Sequence, residues 1–166
     1  LMSAAHSSFL NALTALQARL EIHPNESDRI LVSALIAWDC YVKALAKELL
    51  VEKYAEVLTT DLGSVMETRL NNDLACYDFY DSETVRILFK NYFSVDVTQH
   101  WSIVGCKDAL EACQKLDRYQ SERYQVEHSS ESNVTPLHAF TDNPLCMLLL
   151  IVNLGKATQE FAERCR

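Results

Sequence analysis

Apolar residues recur every three or four positions along most of this chain, in runs separated by short polar breaks, and that period predicts helices. Phe9, Leu13, Leu16 and Leu20 form one stripe and predict a first helix over about Ser3 to Glu21, stopped by His23-Pro24-Asn25. Asn25 or Ser27 then caps a second helix, with Glu26 and Asp28 at its positive end. Its inner face carries Leu31, Ala34, Leu35, Trp38, Tyr41, Val42, Leu45 and Leu49. No Gly or Pro interrupts it before Gly63, so it is expected to run to about Leu58 as the central helix of the fold.

Beyond Thr59 the pattern thins. Val65, Met66, Leu70 and Leu74 predict a third helix, and Asp81-Ser82-Glu83 starts a short fourth one buried through Val85, Leu88, Phe89 and Tyr92. The stretch from Ser94 to Val104 mixes β-branched and polar residues and is expected to be a loop packed by Trp101. A fifth helix spans about Cys106 to Glu127, and a polar connection follows from Ser129 to Thr141. Asn143-Pro144 opens the last helix, with proline at the first position, where its missing N–H costs nothing. Leu145 to Leu154 is apolar nearly all round, which places that helix inside the bundle or in a subunit interface. The expected fold is a single all-α domain over residues 1–166, a bundle of about five to six helices.

Composition fits that reading. Hydrophobic residues make up 49%, and 3 Gly and 3 Pro are few breakers for 166 residues. The longest apolar run, Leu145 to Val152, is short for a bilayer span, and no basic-then-apolar secretory segment opens the chain, so a cytoplasmic protein without a membrane partner is expected. Six cysteines contain no Cys-x-x-Cys pair and no histidine at metal-finger spacing, and no Glu-x-x-His repeat is present, so neither a metal nor another cofactor is expected. Cys40, Cys113 and Cys146 fall in apolar helical patterns and are expected as reduced structural thiols.

The candidate chemistry lies at the end of the fifth helix, in Arg123-Tyr124-Gln125-Val126-Glu127-His128. Arginine offers phosphate a permanent planar fork, and histidine moves protons near neutral pH. Together they suffice for metal-free RNA cleavage, in which the 2′-hydroxyl attacks its own phosphate. The plain alternative is a solvated helix end. On an unbroken helix five residues turn about 500°, so Arg123 and His128 point roughly 140° apart. Either the helix breaks near Glu127, or two subunits pool their pairs across a two-fold axis, and the second is the expectation.

Three features in order resemble the HEPN domain family (higher eukaryotes and prokaryotes nucleotide-binding). They are Ala37-Trp38-Asp39-Cys40-Tyr41-Val42-Lys43 on the second helix, Leu88-Phe89 in a short middle helix, and Arg123-x4-His128 ahead of a variable loop and an apolar last helix. The resemblance covers about residues 27–165. It implies a metal-independent endoribonuclease acting in toxin–antitoxin or antiviral defence. His128 would be the general acid or base, Arg123 the phosphate-stabilising cation, and Asp39 an acid that orients one of them. RNA would be the substrate, with a homodimer as the working form and an antitoxin or regulatory protein as a further partner. The chain departs from the family pattern at Tyr124, usually Asn, Asp or His, and at Ser130, where some toxins carry tyrosine.

Lys115 and Arg118 share the helix with Arg123 and can line a phosphate path; they can equally form a solvated face paired with Glu111, Asp117 and Glu122. His6, His23, His100 and His138 sit in a terminus, a turn and loops, and Trp38 and Trp101 read as core fillers. The formal charge of -8 opposes non-specific binding of polyanions. Two other functions therefore stand beside the nuclease: a non-catalytic HEPN-like module binding nucleotide or protein, and an unrelated helical dimerisation or adaptor protein.

Overall fold

The computed structural model describes residues 3–128 and 140–165. Among them lie seven α-helices: α1 (Ala4–Ile22), α2 (Ser27–Lys53), α3 (Ala55–Leu58), α4 (Asp61–Ala75), α5 (Ser82–Phe93), α6 (Ala109–His128) and α7 (Pro144–Arg164). Short 3-10 turns cover Pro24–Glu26 and Val97–His100. The all-α bundle is as expected. Most of the polar connection before α7, with Ser130 and His138, lies outside the described residues.

Helix α2 is the axis of the bundle and touches every other α-helix. Its apolar positions spread over more than one stripe, so Leu31, Ala34, Leu35, Trp38, Val42 and Leu45 are all fully buried. Burying each large apolar side chain stabilises the fold by about 1.5–3 kcal/mol. The two tryptophans meet edge to face at the centre, 5.8 Å between ring centroids. Their indole donors are satisfied: Trp38 Nε1 donates to the Tyr80 carbonyl (2.9 Å) and Trp101 Nε1 to Thr158 Oγ1 (3.0 Å). Both are core residues, as expected.

The starts of α1, α5 and α7 follow local chemistry, whereas α2 opens at Glu26 without a side-chain cap from Asn25 or Ser27. Asn143 Oδ1 accepts from the backbone N–H groups of Leu145 and Cys146 and opens α7 with Pro144 at its first turn. Asp81 caps α5 by accepting from Thr84 N–H at 2.9 Å. Ser3 caps α1, and Glu48 of α2 reaches the Ala5 N–H at 2.7 Å, placing an acid at a positive helix end.

Several boundaries differ from expectation. The long second helix stops at Lys53, not Leu58, because Tyr54 leaves helical geometry at φ -119°. There its hydroxyl donates to the Tyr92 carbonyl while Lys53 Nζ donates to the Phe93 carbonyl, so contacts with the end of α5 turn the chain. This break splits off α3 as a separate short helix. Gly63 permits the next turn, since a Cβ there would lie 2.2 Å from Leu58 Cα. Helix α6 begins at Ala109 and not Cys106, after a left-handed Gly105 (φ 91°). Asp108 then accepts from the Glu111 N–H at 2.9 Å.

Cys40 and Cys146 are exposed and Cys113 half-buried, so the first two are not core hydrophobes. His6 is buried, its ring 5.7 Å from that of Tyr41. Burial pushes its pKa below the ordinary histidine value. Helix α7 (21 residues) has the length and composition of a membrane span, with an 18-residue window of mean hydropathy 1.3, but 56% of that window is buried inside the fold, as in the core helix of a globular bundle.

Helices α1 and α7 approach closely at Gly155, where a Cβ would lie 2.2 Å from Cε1 of Phe9. Phe9 cannot yield freely, because it is buried and stacked on Tyr41 at 4.7 Å. Overpacking of this kind costs about 1–3 kcal/mol, more than the roughly 1 kcal/mol that alanine gains over glycine in a helix. Gly155→Ala is therefore expected to lower the thermal melting temperature, and Gly155→Val to lower it further. A melting temperature unchanged or raised in both variants would contradict the close approach.

Candidate active site

The most polar part of the interior joins α2, the segment before α5, and α6. Asp39 follows Trp38 on α2 and points into the core, 5% exposed. A carboxylate in that position needs compensating donors. Its Oδ1 accepts from the Tyr80 N–H (3.0 Å) and from Gln120 Nε2 (3.0 Å), and its Oδ2 accepts from Arg123 Nη1 at 2.5 Å. Gln120 Nε2 also approaches the Tyr80 carbonyl at 3.3 Å, and its Oε1 accepts from Arg123 Nη1 at 3.3 Å. Burial pushes the Asp39 carboxyl above its ordinary range, opposed by Arg123, the Tyr80 N–H and the Gln120 amide.

Arg123 is itself only 6% exposed. Its Nε donates to Glu127 Oε1 one turn further along α6, at 3.2 Å. Its guanidinium lies over the Phe79 ring, 4.4 Å from the centroid. The planar fork is thus divided between two carboxylates, with its face on an aromatic ring, an arrangement lysine cannot reproduce.

His128 lies outside this network. Helix α6 continues unbroken to His128, so no break near Glu127 turns the histidine toward Arg123. The imidazole is exposed and stacks on Tyr124 at 3.9 Å with 25° between planes. Its Nδ1 lies 2.8 Å from the Tyr124 carbonyl oxygen. A carbonyl only accepts, so Nδ1 carries the proton in that bond and the neutral ring keeps its lone pair on Nε2. Tyr124 meets Phe79 edge to face at 6.3 Å. A continuous run of contacts therefore leads from Asp39 through Arg123, Phe79 and Tyr124 to His128.

The structure brings Asp39 and Arg123 together and leaves His128 on the surface beyond them. Lys115 is tied to the Gly105 carbonyl (3.1 Å) and to Glu111 (3.8 Å). Arg118 pairs with Asp142 at 2.5 Å and lies 3.9 Å from Glu122. Asp117 instead accepts from the backbone N–H and hydroxyl of Ser82. All three cations of α6 are thus engaged by acceptors of this chain. Glu122 is buried, accepting from the Thr141 hydroxyl at 2.8 Å, and its Oε2 has no partner among the described residues. Nor, among those residues, do three or more His, Cys, Asp or Glu side chains converge as a metal-holding set.

Tyr80, Gln120, Glu127 and Phe79 are site residues that sequence reasoning missed. Gln120 and Glu127 lie three residues before and four after Arg123, the spacing of neighbours on a helix face, so their link to it was readable. Nothing local marks Tyr80 or Phe79, whose parts come from tertiary packing. No family model, curated protein or solved structure matches this chain. A functional reading accordingly rests on the site and on the resemblance carried by its residues.

Removing one partner of a buried ion pair strands the other and costs about 3–5 kcal/mol. Asp39→Ala and Arg123→Ala are each expected to destabilise the fold to that extent in urea denaturation. The double variant is expected to lose less than the sum, with a coupling of about 1–3 kcal/mol. Strict additivity would show that the pair is not a unit.

Proposed function

We infer that this chain is a metal-independent endoribonuclease of the HEPN type. The observation that carries the reading is the placement of His128: exposed, stacked on Tyr124, with Nδ1 2.8 Å from the Tyr124 carbonyl oxygen, an acceptor that calls for Nδ1–H and leaves Nε2 of the neutral ring to take a proton. That is the disposition of a general base for a ribose 2′-hydroxyl, and of the acid that then returns a proton to the departing 5′-oxygen. In this mechanism the attacking oxygen closes a 2′,3′-cyclic phosphate and the bond to the 5′-oxygen breaks. The resemblance assigns the phosphate-stabilising charge to Arg123. In the single chain that guanidinium is buried against Asp39, so its part there is to brace the last turns of α6 under His128. Direct contact between Arg123 and phosphate requires Glu127, whose side chain is 33% exposed, to swing off the guanidinium.

A homodimer is the proposed working form, joining two such helix ends. It is supported by the exposed leucines at the start of α7, Leu145 (44%) and Leu149 (48%), just after Asp142, which pairs with Arg118 of α6. A cytoplasmic site of action and an antitoxin-like regulator belong to the same reading. Light scattering at micromolar concentration is expected to give twice the monomer mass, and Leu145→Glu with Leu149→Glu to give the monomer mass. A monomer in the unmutated chain would remove the dimer from the proposal.

The test of chemistry uses single-stranded RNA with chelator present. Cleavage is expected to persist, to leave a 2′,3′-cyclic phosphate and to spare DNA, which lacks the attacking hydroxyl. His128→Ala, a change at an exposed position, is expected to leave folding intact and reduce the rate about 10²–10⁴-fold. Cleavage that requires magnesium, or that cuts DNA equally, would overturn the mechanism. No cleavage by folded, dimeric protein would favour a binding module.

A further inference from the structure

We propose that Tyr124 and His128 form a stacking platform for an unpaired RNA base, which makes Tyr124 a specificity-determining residue for the reaction proposed above. The inference rests on that reading for its place in catalysis, but base binding can be measured without cleavage.

The first observation is the surface itself. Tyr124 is 51% exposed although its ring is held in place, stacked on His128 and edge-on to Phe79. Phe79 is in turn pinned beneath the guanidinium of Arg123, which is locked to buried Asp39. An exposed aromatic ring is ordinarily free to turn; this one is braced from the core outward. A base joining the stack therefore loses little free energy to ordering the protein.

The second observation is electrostatic. Lys115, Arg118 and Arg123, the three cations of α6, are all engaged by acceptors of the chain, and the chain carries a formal charge of -8. Attraction for phosphate is correspondingly weak, so affinity for RNA must come from uncharged contacts. Base stacking on aromatic side chains supplies such contacts and needs no particular base edge, because every base has a π-face. Purines are preferred, because they offer the larger ring area. A base in the stack brings its own ribose within a nucleotide's length of His128, the group that takes the 2′-hydroxyl proton. Paired bases have their faces covered, so the platform selects single strands.

The experiment measures binding of a fluorescent 2′-O-methyl oligonucleotide of about eight purine nucleotides, in which the attacking hydroxyl is blocked. Fluorescence anisotropy follows binding to the full chain and to Tyr124→Ala, Tyr124→Phe and Tyr124→Trp, each checked for folding by thermal melting. The expected result is about 5- to 100-fold weaker binding for Tyr124→Ala, with both aromatic replacements close to the parent. A single abasic substitution at the stacked position should cause a similar loss in the parent and almost none in Tyr124→Ala. The slope of log affinity against log salt should be shallow, with a magnitude below about 2. Equal binding by Tyr124→Ala and the parent, a steep salt slope, or no binding by the parent at all would overturn the platform. Cleavage of unblocked RNA separates the two ideas. Platform-dependent binding without any cleavage keeps this inference and discards the nuclease; cleavage indifferent to Tyr124→Ala does the reverse.

Discussion

A carboxylate taken out of water must find donors, and the way Asp39 finds them organises this protein. Its two oxygens accept from the Tyr80 N–H, Gln120 Nε2 and Arg123 Nη1, so one side chain on α2 fixes the entry to α5 and the inner face of α6. The neighbouring Trp38 donates to the Tyr80 carbonyl that Gln120 also approaches. Apolar packing is non-directional and strands no polar group when a contact shifts. Directional bonds to a buried charge make a slipped register expensive, because each slip strands a charge or a donor. The network thus sets the geometry of α6, and α6 carries the candidate chemistry to its last described turn.

Position and chemistry divide along that helix. The inward residues Gln120 and Arg123 are consumed by structure, while Tyr124 and His128, one turn apart, face solvent. Arg123 serves both sides, since its charge answers Asp39 and its face holds Phe79 against Tyr124. This explains why an arginine and a histidine five residues apart can belong to one site without pointing the same way. It also sets the two residues apart: Arg123 is part of the buried network, whereas His128 stands exposed outside it.

Much of the fold was legible in the residues. The stripes of α1, α2 and α5, the Asp81 and Asn143 caps and the proline opening α7 all arise from local chemistry, and local chemistry is what a sequence displays. The end of α2 was not legible, because Val51 to Leu58 contains good helix formers and no breaker; the hydroxyl of Tyr54 reaching the Tyr92 carbonyl turns the chain. His6 looked like part of a fraying terminus and is instead packed beside Tyr41, because Gln159 of α7 and Glu48 of α2 hold that helix end down. For the site, the spacing of Arg123 and His128 showed that they diverge, and Asp39 beside Trp38 was visibly an acid in need of a partner. The identity of that partner, and the part played by Phe79, depend on contacts between residues far apart in the chain. Helical period alone carries no such information.

The central claim is that the inner network presents His128 as a proton acceptor at Nε2. Nitrogen-resolved NMR of the imidazole, at a pH where the ring is neutral, tests it most directly. The account predicts that His128 is held as the Nδ1–H tautomer, with the non-protonated signal at Nε2. A ring found mainly as the Nε2–H tautomer, with Nδ1 bare opposite the Tyr124 carbonyl, would contradict it.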